Sequence, residues 1–167
     1  MTVVIQQLMR RVGELYDSFH RAVHEAHDAD AALALVTDDC VVEHLPVGTG
    51  AGRPELRRFL GDDLIGHLPA DLAFRRTSRV LDQRRLVEET VVSFVHDRPL
   101  PWLLPGVEPT GRSAEVHAIT VASFAHASRL GETTTLISGL RTHWDLFTLL
   151  VQLGIAVDDV RPVGTTS

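Results

Sequence analysis

Between residues 72 and 140 the chain carries four apolar-rich stretches in succession, and that run dictates a sheet. The stretches 72–81, 86–96, 112–125 and 132–140 are rich in Val, Ile, Thr and Phe, and turn residues separate them. Asp82-Gln-Arg-Arg85 is a turn that joins the first two into a hairpin. In 86–96 the side chains alternate: Leu86, Glu88, Thr90, Val92, Phe94 and His96 share one face, and Val87, Glu89, Val91, Ser93 and Val95 share the other. Both faces are apolar, so both need cover, one from helices and the other from a second subunit.

The flanks supply helices. Ile5, Leu8, Val12, Leu15, Phe19 and Val23 recur at spacings of three and four, which predicts an amphipathic helix over 4–27. His20, His24 and His27 lie on a neighbouring face. Nothing acidic completes a metal site there, so they read as a solvated or half-buried flank and no metal is expected. Asp30 is suited to cap a short helix over 31–36. Residues 40–45 form a short strand ended by Pro46. Gly48-Thr-Gly-Ala-Gly52 lacks the Lys-Ser/Thr of a phosphate-binding loop and reads as a turn, with Pro54 opening a helix over 54–66. A last helix spans 143–154, with Leu146, Phe147, Leu150, Val151 and Leu153 inward and Gly154 as its C-terminal cap. Helices, then adjacent strands, then a helix give an α+β class with a mostly antiparallel sheet. One domain is expected over 1–157, followed by a flexible tail over 158–167.

Composition narrows the function. The formal net charge of −6 argues against nucleic acid as a partner. No apolar run reaches the roughly 18 residues of a membrane span, and the first residues lack the basic region and apolar core of a signal peptide. A cytoplasmic protein is expected. All sixteen basic residues are Arg, which removes Schiff-base chemistry, and Cys40 stands alone, which removes disulfides and cysteine-rich zinc sites. No nucleophile elbow, zinc helix or nucleotide motif is present, so the chemistry expected is cofactor-free proton transfer.

The residues suited to it cluster between 85 and 145. Glu88 or Glu89 points into apolar surroundings, where burial makes a carboxylate a useful proton carrier. Either could equally pair with an arginine of the preceding strand. His96 closes its strand beneath the Pro-rich loop 99–111, the position of a general acid or base or of a hairpin cap. Trp102 sits in a loop too apolar to be free, either core or lid of a pocket. Asp145, in His143-Trp144-Asp145, either caps the last helix or faces a cavity under the sheet. His44, beside Glu43, is a further candidate.

The order of elements resembles the nuclear transport factor 2-like superfamily, and more closely its SnoaL-like (polyketide-cyclase-like) branch. The matching stretches are Glu43-His-Leu-Pro with Gly50-x-Gly52, Glu89 with Phe94-x-His96, Trp102-Leu-Leu-Pro-Gly-Val-x-Pro-Thr-Gly111, and Trp144-Asp145 with Leu150-Val-Gln-Leu-Gly154. The resemblance implies a cone-shaped α+β barrel, a curved sheet wrapped around N-terminal helices with a central pocket. It also implies a homodimer formed through the sheet and acid/base work on a hydrophobic, carbonyl-bearing small molecule. The reaction would be cyclisation, isomerisation or dehydration, without a cofactor. Catalysis would fall to Asp145, His96, Glu89 and His44, with Trp102, His143, Trp144, Phe94, His117 and Glu88 contacting substrate. Three features depart from the family pattern: His143 replaces a phenol, Leu140-Arg-Thr-His143 lacks the acid expected at the start of that run, and His117 replaces a proline. Alternation pairs Glu88 with His96, whereas the resemblance points to Glu89, and both hold only across a bulge. The alternatives are epoxide hydrolysis of the limonene-epoxide type, with Arg79 or Arg141 beside a carboxylate, and a non-catalytic binding or dimerisation module.

Overall fold

The structure, a computed structural model, describes residues 2–45, 48–129 and 132–160. Helix α1 (Thr2–His24) and the short α2 (Ala29–Leu33) lead into strands β1 (Val36–Leu45) and β2 (Gly48–Ala51). Helix α3 (Arg53–Arg58) follows, then β3 (Ala73–Leu81), β4 (Arg85–Val95), β5 (Ser113–Arg129), β6 (Glu132–Trp144) and α4 (Leu146–Leu153). The six strands form one sheet in the order β2-β1-β6-β5-β4-β3, antiparallel except where β1 pairs β6. This is the mixed α+β architecture expected, a curved open sheet with the N-terminal helices against its concave face.

Several boundaries differ from expectation for physical reasons. Asp28, not Asp30, caps α2: its side chain accepts from the Ala31 N–H at 2.9 Å, and Val36 already belongs to β1. The glycines 48–52 make a strand rather than a turn. At Gly50 a Cβ would sit 2.8 Å from that of Phe59, so the missing side chain lets the next helix pack directly on β2. The single helix expected over 54–66 is broken. α3 gives way to a π-helical turn (Phe59–Leu64) and a 3-10 turn (Ile65–His67), which keep Phe59, Leu60 and Leu64 buried. β6 runs on to Trp144, so His143 lies on a strand. Leu150 and Leu153 face the core as expected, joined by Leu149, but Phe147 and Val151 do not point inward; they are 74% and 64% exposed. Gly154 does end α4 in the left-handed conformation, at φ 69°. Pro46 and the tail from 161 lie outside the described residues; residues 157–159 form a 3-10 turn.

Candidate functional site

β4 pairs with β5 without interruption from Arg85 to Val95, so its alternation is strict. Glu88 therefore faces inward and is 3% exposed, while Glu89 faces outward and is exposed. The bulge falls on β3, where the register shifts between Arg76 and Ser78. Thr77 is the surplus residue. It places Arg76 and Arg79, three apart, on the same face, where strict alternation would oppose them. Both guanidinium groups reach Glu88: Arg76 Nε donates at 2.7 Å and Arg79 Nε at 2.6 Å. Arg79 also binds Asp17 of α1, at 2.6 and 3.2 Å, and lies over the Tyr16 ring. Glu88 is thus a carboxylate shared by two cations.

The register carries this polar level across the sheet. Arg79 lies opposite Glu88, Glu88 opposite Thr120, Thr120 opposite Thr142, and Thr142 opposite His44. The next inward row is apolar: Leu81, Leu86, Ala122, Leu140 and Val42. A polar row contributed by five strands thus crosses the concave face, and on its other side the inward row runs Arg76, Thr90, Ala118, Trp144. Thr120 and Thr142 join their hydroxyls at 3.0 Å. The hydroxyl of Tyr16 comes down from α1 within hydrogen-bonding reach of Thr120 and Glu88. Burial first, and the Glu88 charge second, push its pKa upward, so the phenol stays protonated.

Over this row α1 lays Tyr16, His20 and His24, one helical turn apart, beside Phe19 and Val23. Together they enclose a space of about 60 Å³. Phe74 closes it at one end, 4.6 Å from the His20 ring and 4.5 Å from that of His24. Trp102, Trp144 and His44 close the other end. Trp102 stands edge-on to His44 at 5.3 Å and tilted to Trp144 at 5.7 Å. Trp144 donates its indole N–H to His44 Nδ1 at 3.4 Å, so a neutral His44 carries its proton on Nε2. Burial pushes the His44 pKa down to about 4. Burial also lowers that of His20, against the pull of Glu88, and takes that of His24 well below its usual value. At neutral pH all three imidazoles are uncharged. Among the described residues no group of three His, Cys, Asp or Glu side chains is placed to hold a metal.

No protein-family model matches the sequence, and no curated protein does. Solved structures do. The epoxide hydrolase/cyclase-like enzyme SalBIII, with a role in pyran ring formation in the polyether salinomycin, superposes with a TM-score of 0.56 at 15% identity. That match covers 83% of this chain and 94% of the other. A ketosteroid isomerase-like protein from Erwinia carotovora atroseptica gives 0.54 at 14% identity, over 80% and 92% of the two chains. A candidate SnoaL-like polyketide cyclase from a Jannaschia species gives 0.61 at 12% identity, over 86% and 94%. The fold is that of the nuclear transport factor 2-like superfamily. At these identities the likeness is one of architecture, and the site has to be argued from its own residues.

The nuclear transport factor 2-like cone of this chain brings together His44, Trp102, Trp144 and Glu88 of the expected residues. It does not bring in the others. Glu89 is on the outer face. Asp145 is exposed and caps α4, accepting from the Thr148 N–H at 3.1 Å; that side-chain contact with Thr148 holds its carboxyl below the usual range. His143 and His117 are exposed, because their strand positions have the outward parity. Phe94 is buried in the core, beyond the cavity walls. His96 is fully buried yet off the cavity, and it fastens the loop that bears Trp102. Its Nδ1 accepts from the Thr110 N–H at 3.3 Å, and its backbone pairs with Gly111 and Arg112 at 2.9 Å.

Sequence reasoning missed Tyr16, Thr120 and Thr142 and set aside His20 and His24. The i, i+4, i+8 spacing of Tyr16, His20 and His24 was the available signal. Neighbours of Phe19 and Val23 on a helix cannot all be solvated. Among the described residues no helix is long and apolar enough to cross a membrane.

Proposed function

We propose that the cavity is the substrate site of a cofactor-independent acid/base enzyme acting on a hydrophobic, carbonyl-bearing small molecule, in a cyclisation, isomerisation or dehydration. The observation that carries this reading is the polar row that crosses a largely apolar concave face, roofed by neutral imidazoles and a protonated phenol. His44 donates its Nε2–H to the substrate carbonyl and stabilises the negative charge that develops on that oxygen. His20 takes the proton from the adjacent carbon. It lines both the cavity and an open cleft beside Arg21 and Glu25, so the proton has a route to solvent. Glu88, fixed by Arg76 and Arg79, orients Tyr16. The protein works in the cytoplasm as a homodimer that buries the outer face of the sheet, where Val87 and Ile119 are exposed.

The test is hydrogen exchange at carbon. Acetophenone, 1-indanone and acetylacetone are incubated with the protein in D2O, and loss of the proton signal next to the carbonyl is followed by NMR. The wild type is expected to accelerate exchange of at least one, and His44→Gln and His20→Gln to slow it about 100-fold, the usual worth of one positioned acid or base. No acceleration of any probe by the wild type overturns the enzyme reading and leaves a binding module. Arg79 and Arg76 favour a second reading, epoxide hydrolysis, because both bridge Asp17 and Glu88 and Arg76 lines the open cleft. Incorporation of labelled oxygen from water into limonene epoxide would establish it.

A further inference from the structure

Four buried side-chain atoms lack a hydrogen-bond partner among the described residues, and two of them, His24 Nδ1 and Trp102 Nε1, belong to walls of the cavity. Trp102 is the more telling. Its side chain is 2% exposed, and an indole nitrogen is a donor in every protonation state, so its missing partner must be an acceptor. The nearest imidazole does not supply one, because Trp144 already occupies His44 Nδ1. A phenylalanine at this position would close the wall equally well and bury no orphan donor. Nor does the loop leave the indole free to find a partner elsewhere. Leu100, Leu103 and Leu104 on either side are buried in the core, and the neck of the loop is pinned at His96.

The other charges of the cavity are already matched. Glu88 is compensated by Arg76 and Arg79, and Arg79 is held by Asp17 as well. Among the described residues that line the cavity, no cation is left over for an anionic ligand and no carboxylate for a cationic one. An ion entering this space would lose its hydration without gaining a counter-charge.

We propose that the indole N–H of Trp102 is the specificity-determining donor of this cavity, held for the carbonyl or ether oxygen of an uncharged, mainly apolar ligand. The inference rests on reading the cavity as the substrate site. The ligand oxygen is placed against Trp102, whose ring stands 5.3 Å from that of His44 at the same end of the cavity. The hydrocarbon body of the ligand lies against Phe74, Leu60 and Leu64.

Acetophenone, ethylbenzene and benzoate test this, since they share size and ring and differ in the oxygen and the charge. Calorimetric titration of the wild type should give acetophenone at least about tenfold tighter than ethylbenzene, the worth of one net hydrogen bond. Benzoate should bind no better than ethylbenzene. Trp102→Phe should bring acetophenone and ethylbenzene to within about threefold of each other while leaving ethylbenzene binding in place. A second measurement needs no variant. In the ¹⁵N-labelled wild type the Trp102 indole proton should move downfield with acetophenone and stay with ethylbenzene. Equal affinity for the ketone and the hydrocarbon, an unmoved indole proton, tighter binding of benzoate, or no binding of any probe each overturns the proposal. The two readings fail separately. Acetophenone that binds through Trp102 without exchanging its methyl protons removes the catalysis and keeps the donor. Exchange with an unmoved indole proton does the reverse.

Discussion

Glu88 and Glu89 are chemically almost identical neighbours, and the sheet sends them to opposite fates. Glu88 enters the concave face, where two arginines and a phenol converge on it. Glu89 emerges on the convex face, in the cross-strand row Ser78, Glu89, Ile119, His143. The inner row holds the Arg79–Glu88 ion pair and the Thr120–Thr142 hydroxyl pair; the outer row is a set of exposed side chains. Parity alone makes the difference. A polar group in this sheet acquires its chemistry from the row it belongs to, not from its type or its neighbours in sequence.

The largest expected effect that sharpens this contrast is on stability. Glu88→Ala leaves Arg79 buried without one of its partners and should cost about 3 kcal/mol or more, as broken buried pairs do. Glu89→Ala should stay within about 0.5 kcal/mol of the wild type. Urea denaturation of the two variants checks both, and equal losses would break the comparison.

Next comes acid. The His44 pKa is about 4 in the folded chain and about 6.5 in the unfolded one, so between those values the unfolded chain binds the extra proton. The stability contributed by a neutral His44 is therefore complete above pH 6.5 and falls as pH drops to 4, by about 3 kcal/mol. His20 and His24, also lowered, push in the same direction. Melting curves across this range should show the loss, and His44→Phe should flatten part of it.

The smallest effect on the folded subunit is expected at the outer face. Ile119→Lys should leave the melting temperature nearly unaltered yet convert the proposed dimer to a monomer in sedimentation velocity. A monomeric wild type would reject pairing through this face.

Much of the fold was legible because the signals were periodic. The alternation in β4 and the stripe on α1 placed the sheet and its roof. What escaped was set by contacts rather than by pattern. Gly50 reads as turn chemistry, yet it works as a gap for Phe59. The stretch after Pro54 reads as one helix, but burying Phe59, Leu60 and Leu64 together winds it into a π turn. In the site, His44 and Trp102 stood out as polar or aromatic residues in apolar surroundings. Thr120 and Thr142 did not, since a threonine in a strand is ordinary and only the register shows that they adjoin. Asp145 was legible as a helix cap and illegible as a bystander to the cavity, because its orientation depends on where β6 ends.

The bulge at Thr77 has a further consequence, and it is one of phase. Thr77 is exposed, and its hydroxyl does no more than donate to the Glu89 carbonyl at 3.1 Å. Yet it sets the two halves of β3 half a period apart. Pairing Thr77 with Thr90 in a regular ladder, without the bulge, would rotate everything before it to the opposite side of the sheet. Phe74 would leave the end of the cavity, Arg76 would leave Glu88, and Arg75 would turn inward. The composition of the pocket wall is thus written in the pairing of β3 as much as in its letters, and a relative lacking one residue at this point would keep the same wall on a regular strand.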